Sequence, residues 1–89
     1  MRRERDLRKI IAHYGYKNQK NIAIEEMSEL IKELCKNNRG ELNTPRIAEE
    51  IADVQIMLNQ LIIHLGIKAE VEGTVDIKID RQLERMDNE

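Results

Sequence analysis

Thr44-Pro45-Arg46-Ile47-Ala48-Glu49-Glu50-Ile51-Ala52-Asp53-Val54-Gln55-Ile56-Met57-Leu58, running on through Asn59 to Leu65 and Gly66, is the stretch that decides the fold. Pro45 sits where a helix begins, because the first helical residue has no intrahelical use for its N–H, and Asn43 or Thr44 stands ready as the cap. Gly66 marks the far end. With residues stepped about 100° apart, Ile47, Ile51, Val54, Leu58, Leu61, Ile62 and Leu65 form one broad apolar face, expected to build the subunit core. Ala52, Ile56 and Ile63 form a second stripe nearly opposite. A helix apolar on two faces has to be covered on both, and in so short a chain the second cover is expected to be another copy of the chain. Glu50 and Asp53 lie between the stripes, where Val54, Met57 and Gln60 would strip water from them.

Working outward, Leu7, Ile10, Ile11 and Tyr14 place a first helix over residues 4–14, stopped by Gly15. A second helix is expected from Asn18 or Asn21 to the Asn37-Asn38-Arg39-Gly40 breaker, with Ile24, Met27, Leu30, Ile31, Leu34 and Cys35 as its stripe. The last segment, residues 70–86, carries Val71, Val75, Ile79, Leu83 and Met86 at steps of three and four. The alternation of Val75, Ile77 and Ile79 with Asp76 and Lys78 would suit a strand, but the longer helical period prevails, even with Gly73 in its first turn. The reading is one all-α domain over residues 1–89, a four-helix bundle completed by homo-oligomerisation.

The composition narrows the function. A chain of 89 residues with formal charge -2 and 36% charged residues has no net attraction for nucleic acid or an anionic membrane. No apolar leader follows the Met1-Arg2-Arg3-Glu4-Arg5 opening, so a cytoplasmic location is expected. Cys35 is the single cysteine, which leaves no intrachain disulfide or thiolate zinc site, and its place beside Ile31 and Leu34 suggests a core thiol.

Glu26-x-x-Glu29 and Glu50-x-x-Asp53 place two carboxylate pairs on consecutive helices, each pair one turn apart. Side chains three apart share a helix face, so two packed helices could aim four oxygen donors at one point. Hard cations such as Mg2+ or Mn2+ choose such donors. The plainer reading is that Glu25, Glu26, Glu29 and Glu33, with Lys32 and Lys36 among them, form a solvated face of the second helix.

Glu25-Glu26-Met27-Ser28-Glu29-Leu30 and Glu50-Ile51-Ala52-Asp53 resemble the EExxE and ExxD motifs of the MazG-like, all-alpha nucleoside triphosphate pyrophosphohydrolases. Tyr14-Gly15, Gln19, Glu49 and Lys78-x-x-Arg81 are also similar to small phage and prophage members, so the resemblance spans nearly the whole chain. It implies Mg2+-dependent hydrolysis of a nucleoside triphosphate between its alpha and beta phosphates, giving the monophosphate and pyrophosphate. It further implies Glu26, Glu29, Glu50 and Asp53 as metal ligands, Glu25 or Glu29 as the catalytic base, and a homodimer or homotetramer. Lys78 and Arg81, one turn apart, would pair with phosphate oxygens, and Gln19 would contact base or sugar, although a solvated basic patch and a helix cap are the simpler readings. The chain departs from better-described relatives in having no tryptophan or phenylalanine, leaving Tyr14, Tyr16 and His13 as the rings near the site.

Three other classes compete. A noncatalytic helical interaction or regulatory module would use the acids only for solvation. A di-iron bundle needs Glu-x-x-His pairs, which this chain lacks, and His64 alone on the Asp53 side of its helix is better explained structurally. A helix-turn-helix reader would want a basic recognition helix where this chain has acids.

Overall fold

The computed structural model describes residues 1–89 as four α-helices and no strand: α1 (Glu4–Tyr14), α2 (Tyr16–Asn38), α3 (Thr44–Leu65) and α4 (Lys68–Asp87). The punctuation is where the sequence puts it. Gly15 takes φ 88, a conformation L side chains rarely adopt, and its N–H closes α1 on the Ile11 carbonyl at 2.8 Å. Because one residue suffices for that turn, α2 starts at Tyr16, earlier than Asn18 or Asn21. Pro45 lies in the first turn of α3, and Gly66 ends it in the left-handed region. In α4 the helical period prevails over the strand alternation, and Gly73 is carried without a break.

α2 and α3 form a long antiparallel hairpin with by far the most extensive packing of the chain, and α1 lies across both. The helices meet through only one edge of their apolar stripes, Leu30 on α2 and Val54 with Leu61 on α3. α2 turns Gln19, Ala23, Glu26, Leu30 and Glu33 inward, while Ile24, Met27, Leu34 and Ile31, the last 61% exposed, face out. α3 buries Val54, Met57 and Gln60, with Glu50 and Leu61 half-buried beside them, and leaves Ile51, Leu58 and Leu65 exposed. The core is therefore built by one edge of the broad Ile47-to-Leu65 face, Val54 with Leu61, and by the adjoining sector that carries Glu50, Met57 and Gln60. At its two ends the seam satisfies its own polar groups, through Gln19–Gln60 and Glu33–Asn43, which lets amides and a carboxylate lie inside while apolar side chains stay available for a further partner. Cys35 lies beside the outward stripe of α2 and is exposed, against the expectation of a core thiol, and Tyr14 is exposed as well. The second stripe has an intrachain neighbour: Ala52 and Ile56 line a cleft with Leu7 and Ile10 of α1, and Ile63 lines another with Ile11.

Three polar rungs recur along the seam at seven-residue intervals. At one end Gln19 Nε2 donates to Gln60 Oε1 at 2.9 Å, with the two residues only 3% and 1% exposed. Seven residues on, Glu26 faces Asp53. Seven more bring the buried Glu33 to Arg46, whose Nε lies 3.6 Å from its Oε1. Seven residues is about two helical turns, or roughly 10.5 Å, and a constant seven-residue step on both antiparallel helices of the hairpin keeps one register throughout.

At the turn between the helices Asn43 occupies the cap position of α3, yet its side chain makes no cap bond. Its Nδ2 reaches back to Glu33, donating to the backbone carbonyl at 2.9 Å and to Oε2 at 3.1 Å. Lys36 adds an ion pair at 3.5 Å, and these partners hold the Glu33 carboxyl below its ordinary value, the Asn43 hydrogen bond contributing most. α4 touches only α3 and buries none of its residues. No helix is long and apolar enough to cross a membrane.

Candidate metal centre

The middle rung is the chemically distinctive one. Glu26 projects from the inner face of α2, and Glu50 and Asp53 project one turn apart from α3, as residues three apart must. One carboxylate oxygen from each of the three lies within 4.8 Å of the others. Glu50 Oε2 is buried and has no hydrogen-bond partner, an unusual state for a carboxylate oxygen. Glu26 and Glu50 are half-buried.

The electrostatics follow from that crowding. Burial raises the Glu26 carboxyl above its ordinary value first, and the charges of Asp53, Glu50 and Glu29 raise it further. Glu50 is raised in the same way, by burial and then by Asp53 and Glu29, against a smaller lowering from Arg46. No lysine or arginine forms an ion pair with any member of the trio. Contrast Glu33, one rung away, which is at least as buried but is lowered because a donor amide and two cations face it. The two rungs show what the difference is: one is a completed network, the other lacks positive charge.

A divalent cation fits the deficit. Three carboxylate oxygens within 4.8 Å of one another are the hard donor type that Mg2+ or Mn2+ takes. Glu26, Glu50 and Asp53 would hold it. Glu29 lies outside the trio but acts on both Glu26 and Glu50 through its charge, and Glu25 is exposed on the outer face of α2.

The remaining expected site residues are elsewhere. Gln19 does not line an open site: its Nε2 is given to Gln60, its Oε1 accepts from Asn18 Nδ2 at 2.8 Å, and it is buried, so it fixes the helix pair. Lys78 and Arg81 are exposed on α4, which makes no contact with α2, and so they do not join the acids within one chain. His64 stacks on Tyr16 with ring centroids 4.2 Å apart and an interplanar angle of 5°, Lys20 Nζ lies 5.1 Å from the Tyr16 ring centroid, and His64 belongs to no cluster of metal-binding groups. The Glu33–Asn43 clasp and the Gln60 amide are the parts the motif reading passed over. Their signal was present as the seven-residue recurrence of Gln19, Glu26 and Glu33 opposite Gln60, Asp53 and Arg46.

Compared with protein-family profiles, with curated proteins and with solved structures, the chain matches none.

Proposed function

We propose that the chain is a divalent-metal-dependent nucleoside triphosphate pyrophosphohydrolase of the MazG-like kind, working in the cytoplasm as a homodimer or homotetramer. The observation that carries this reading is the convergence of Glu26, Glu50 and Asp53 on one point, with a buried, partnerless Glu50 oxygen among them. The EExxE and ExxD spacing supports it, with Glu26 of the first motif facing Glu50 and Asp53 of the second.

Bound Mg2+ or Mn2+ would supply charge neutralisation at phosphate oxygens and a more acidic water. The protein's own part is to hold three carboxylates at a fixed spacing, a placement maintained by the Gln19–Gln60 and Glu33–Arg46 rungs on either side. Glu29 or Glu25 would accept the proton of an attacking water, and of the two it is Glu29 whose charge acts on Glu26 and Glu50. Lys78 and Arg81 would reach a triphosphate only from a neighbouring subunit or after movement of α4.

A noncatalytic helical module is the second reading, favoured by the large exposed apolar surface. Pyrophosphate release separates the two. A panel of ordinary and modified nucleoside triphosphates with millimolar Mg2+ should give pyrophosphate and monophosphate from at least one member, abolished by chelation. No release from any of them with Mg2+ or Mn2+, in protein that is folded, would leave only the interaction module.

A further inference from the structure

The structure assigns the face of the α2/α3 hairpin that lies away from α1 as the contact surface for a second copy of the chain. Ile24, Met27, Ile31 and Leu34 on α2 are all exposed, as are Ile51, Leu58 and Leu65 on α3. On helices stepped at about 100° per residue, each set forms one stripe, and in an antiparallel pair packed through Ala23, Leu30, Val54 and Leu61 both stripes emerge on the same side. The acids and α1 are on the other. Seven large apolar side chains, each more than a third exposed, thus share one side of the hairpin, in contrast to the singly scattered exposed apolar residues of a monomer.

Area identifies the occupant as something large. A folded monomer of 10.5 kDa is expected to expose about 5,400 Å² from the size scaling of globular proteins, whereas this chain exposes 7060 Å². The excess, roughly 1,600 Å² per chain, is more than the roughly 800 Å² per partner that a standard specific interface removes. A second copy is the partner that fits, because the excess area exceeds what one side of a stable dimer needs and the chain carries two apolar surfaces with no cover of their own. α4 exposes Val75, Ile79, Leu83 and Met86 along one side and cannot lay them on its own α2, with which it has no contact. In a symmetric pair the hairpin face and the α4 stripe of each chain are covered together. This surface differs from the Ala52–Ile56–Ile63 stripe, which α1 already partly flanks. The assignment rests on the self-association proposed above and adds where it occurs.

Cys35 supplies a reporter, since it is the single cysteine, is exposed in one chain and lies beside Ile31 and Leu34 on this stripe. The experiment combines light scattering after size exclusion with the rate at which a small aromatic disulfide reagent modifies Cys35, in the full chain at micromolar concentration. Wild type should have at least twice the chain mass and a slow thiol. Ile31→Glu and Leu58→Glu should lower the mass to one chain and speed modification severalfold, with helical circular dichroism retained, while Lys32→Glu, on the outer charged side of α2, should leave both unchanged. A wild-type oligomer indifferent to Ile31→Glu and Leu58→Glu would overturn the face but not self-association. A wild-type monomer with a fast thiol would overturn both. If the charge variants unfold, Ile31→Gln and Leu58→Gln take their place: loss of the wild-type mass with a faster thiol supports the assignment, and an unchanged oligomer overturns it.

Discussion

Gln19 hands its side-chain amide to Gln60 across the α2/α3 seam, and the register this pair sets is the one that brings Glu26 against Asp53 seven residues away. A buried amide pair is a poor source of net stability and a good source of alignment, since sliding either helix by one turn leaves two polar side chains without partners in an apolar seam. The candidate metal centre thus depends on a contact about 10 Å from it.

Replacing one member of that pair should cost more than replacing both. Gln60→Leu or Gln19→Leu alone leaves a buried amide unsatisfied and is expected to lower unfolding free energy by about 1–3 kcal/mol, whereas the double leucine variant should recover most of it. Urea denaturation of the three variants measures this. Equal losses in the singles and an additive loss in the double would show that the amides do not interact.

The acidic rung should behave in the opposite direction. Asp53→Asn and Glu50→Gln remove charge from a cluster with no cation, so the metal-free protein should melt at a higher temperature than wild type, and the rise in melting temperature caused by Mg2+ should disappear. Glu29→Gln and Glu25→Gln should leave that Mg2+ response largely in place. Whichever of the two removes the base should lower pyrophosphate release by about 10²- to 10⁴-fold. Scanning calorimetry with and without Mg2+ tests the first pair, and steady-state assays the second.

The pH profile separates the rungs. Glu26 and Glu50 are raised above the ordinary 4.5, so the folded state holds their protons more tightly than the unfolded chain does, and the metal-free protein gains stability as pH falls from neutral through their raised values. Glu33 is lowered, so its contribution is full above 4.5 and is lost as pH drops through its lower folded value. Melting temperature without metal should therefore rise into mild acid and then fall, and saturating Mg2+, which competes with the protons, should flatten the rise. A monotonic fall from neutral pH without metal would deny the crowding of the carboxylates.

Asn43→Ala takes two hydrogen bonds from the buried Glu33, one to its carbonyl and one to its carboxylate. The expected loss is about 1–3 kcal/mol, largest at neutral pH where the carboxylate is charged. A variant as stable as wild type would mean that Lys36 and Arg46 satisfy Glu33 unaided.

Helix boundaries were legible because Gly15, Pro45 and Gly66 each have one strong local meaning, and the pairing of Glu50 with Asp53 follows from helical geometry alone. Burial was not so readable. The periodicity of Ile24, Met27, Ile31 and Leu34 reports that these side chains favour a dry environment, and says nothing of which surface provides it. Motif position likewise suggested an open role for Gln19, while its burial depends on meeting Gln60 from forty-one residues away. Long-range partners decide whether a polar residue on a helix is a binding group or a structural one. The same is true of Glu33, whose neighbours Lys32 and Lys36 suggested a solvated face until Asn43 and Arg46 were brought to it.

The most direct measurement is a Mn2+ titration followed by electron paramagnetic resonance of the free ion, in wild type and in Asp53→Asn. Saturable loss of the free-ion signal in wild type, strongly weakened in the variant while the helical content is kept, is the expected result. Equal binding by both proteins, or none by either, would contradict a cation held between α2 and α3 by Glu26, Glu50 and Asp53.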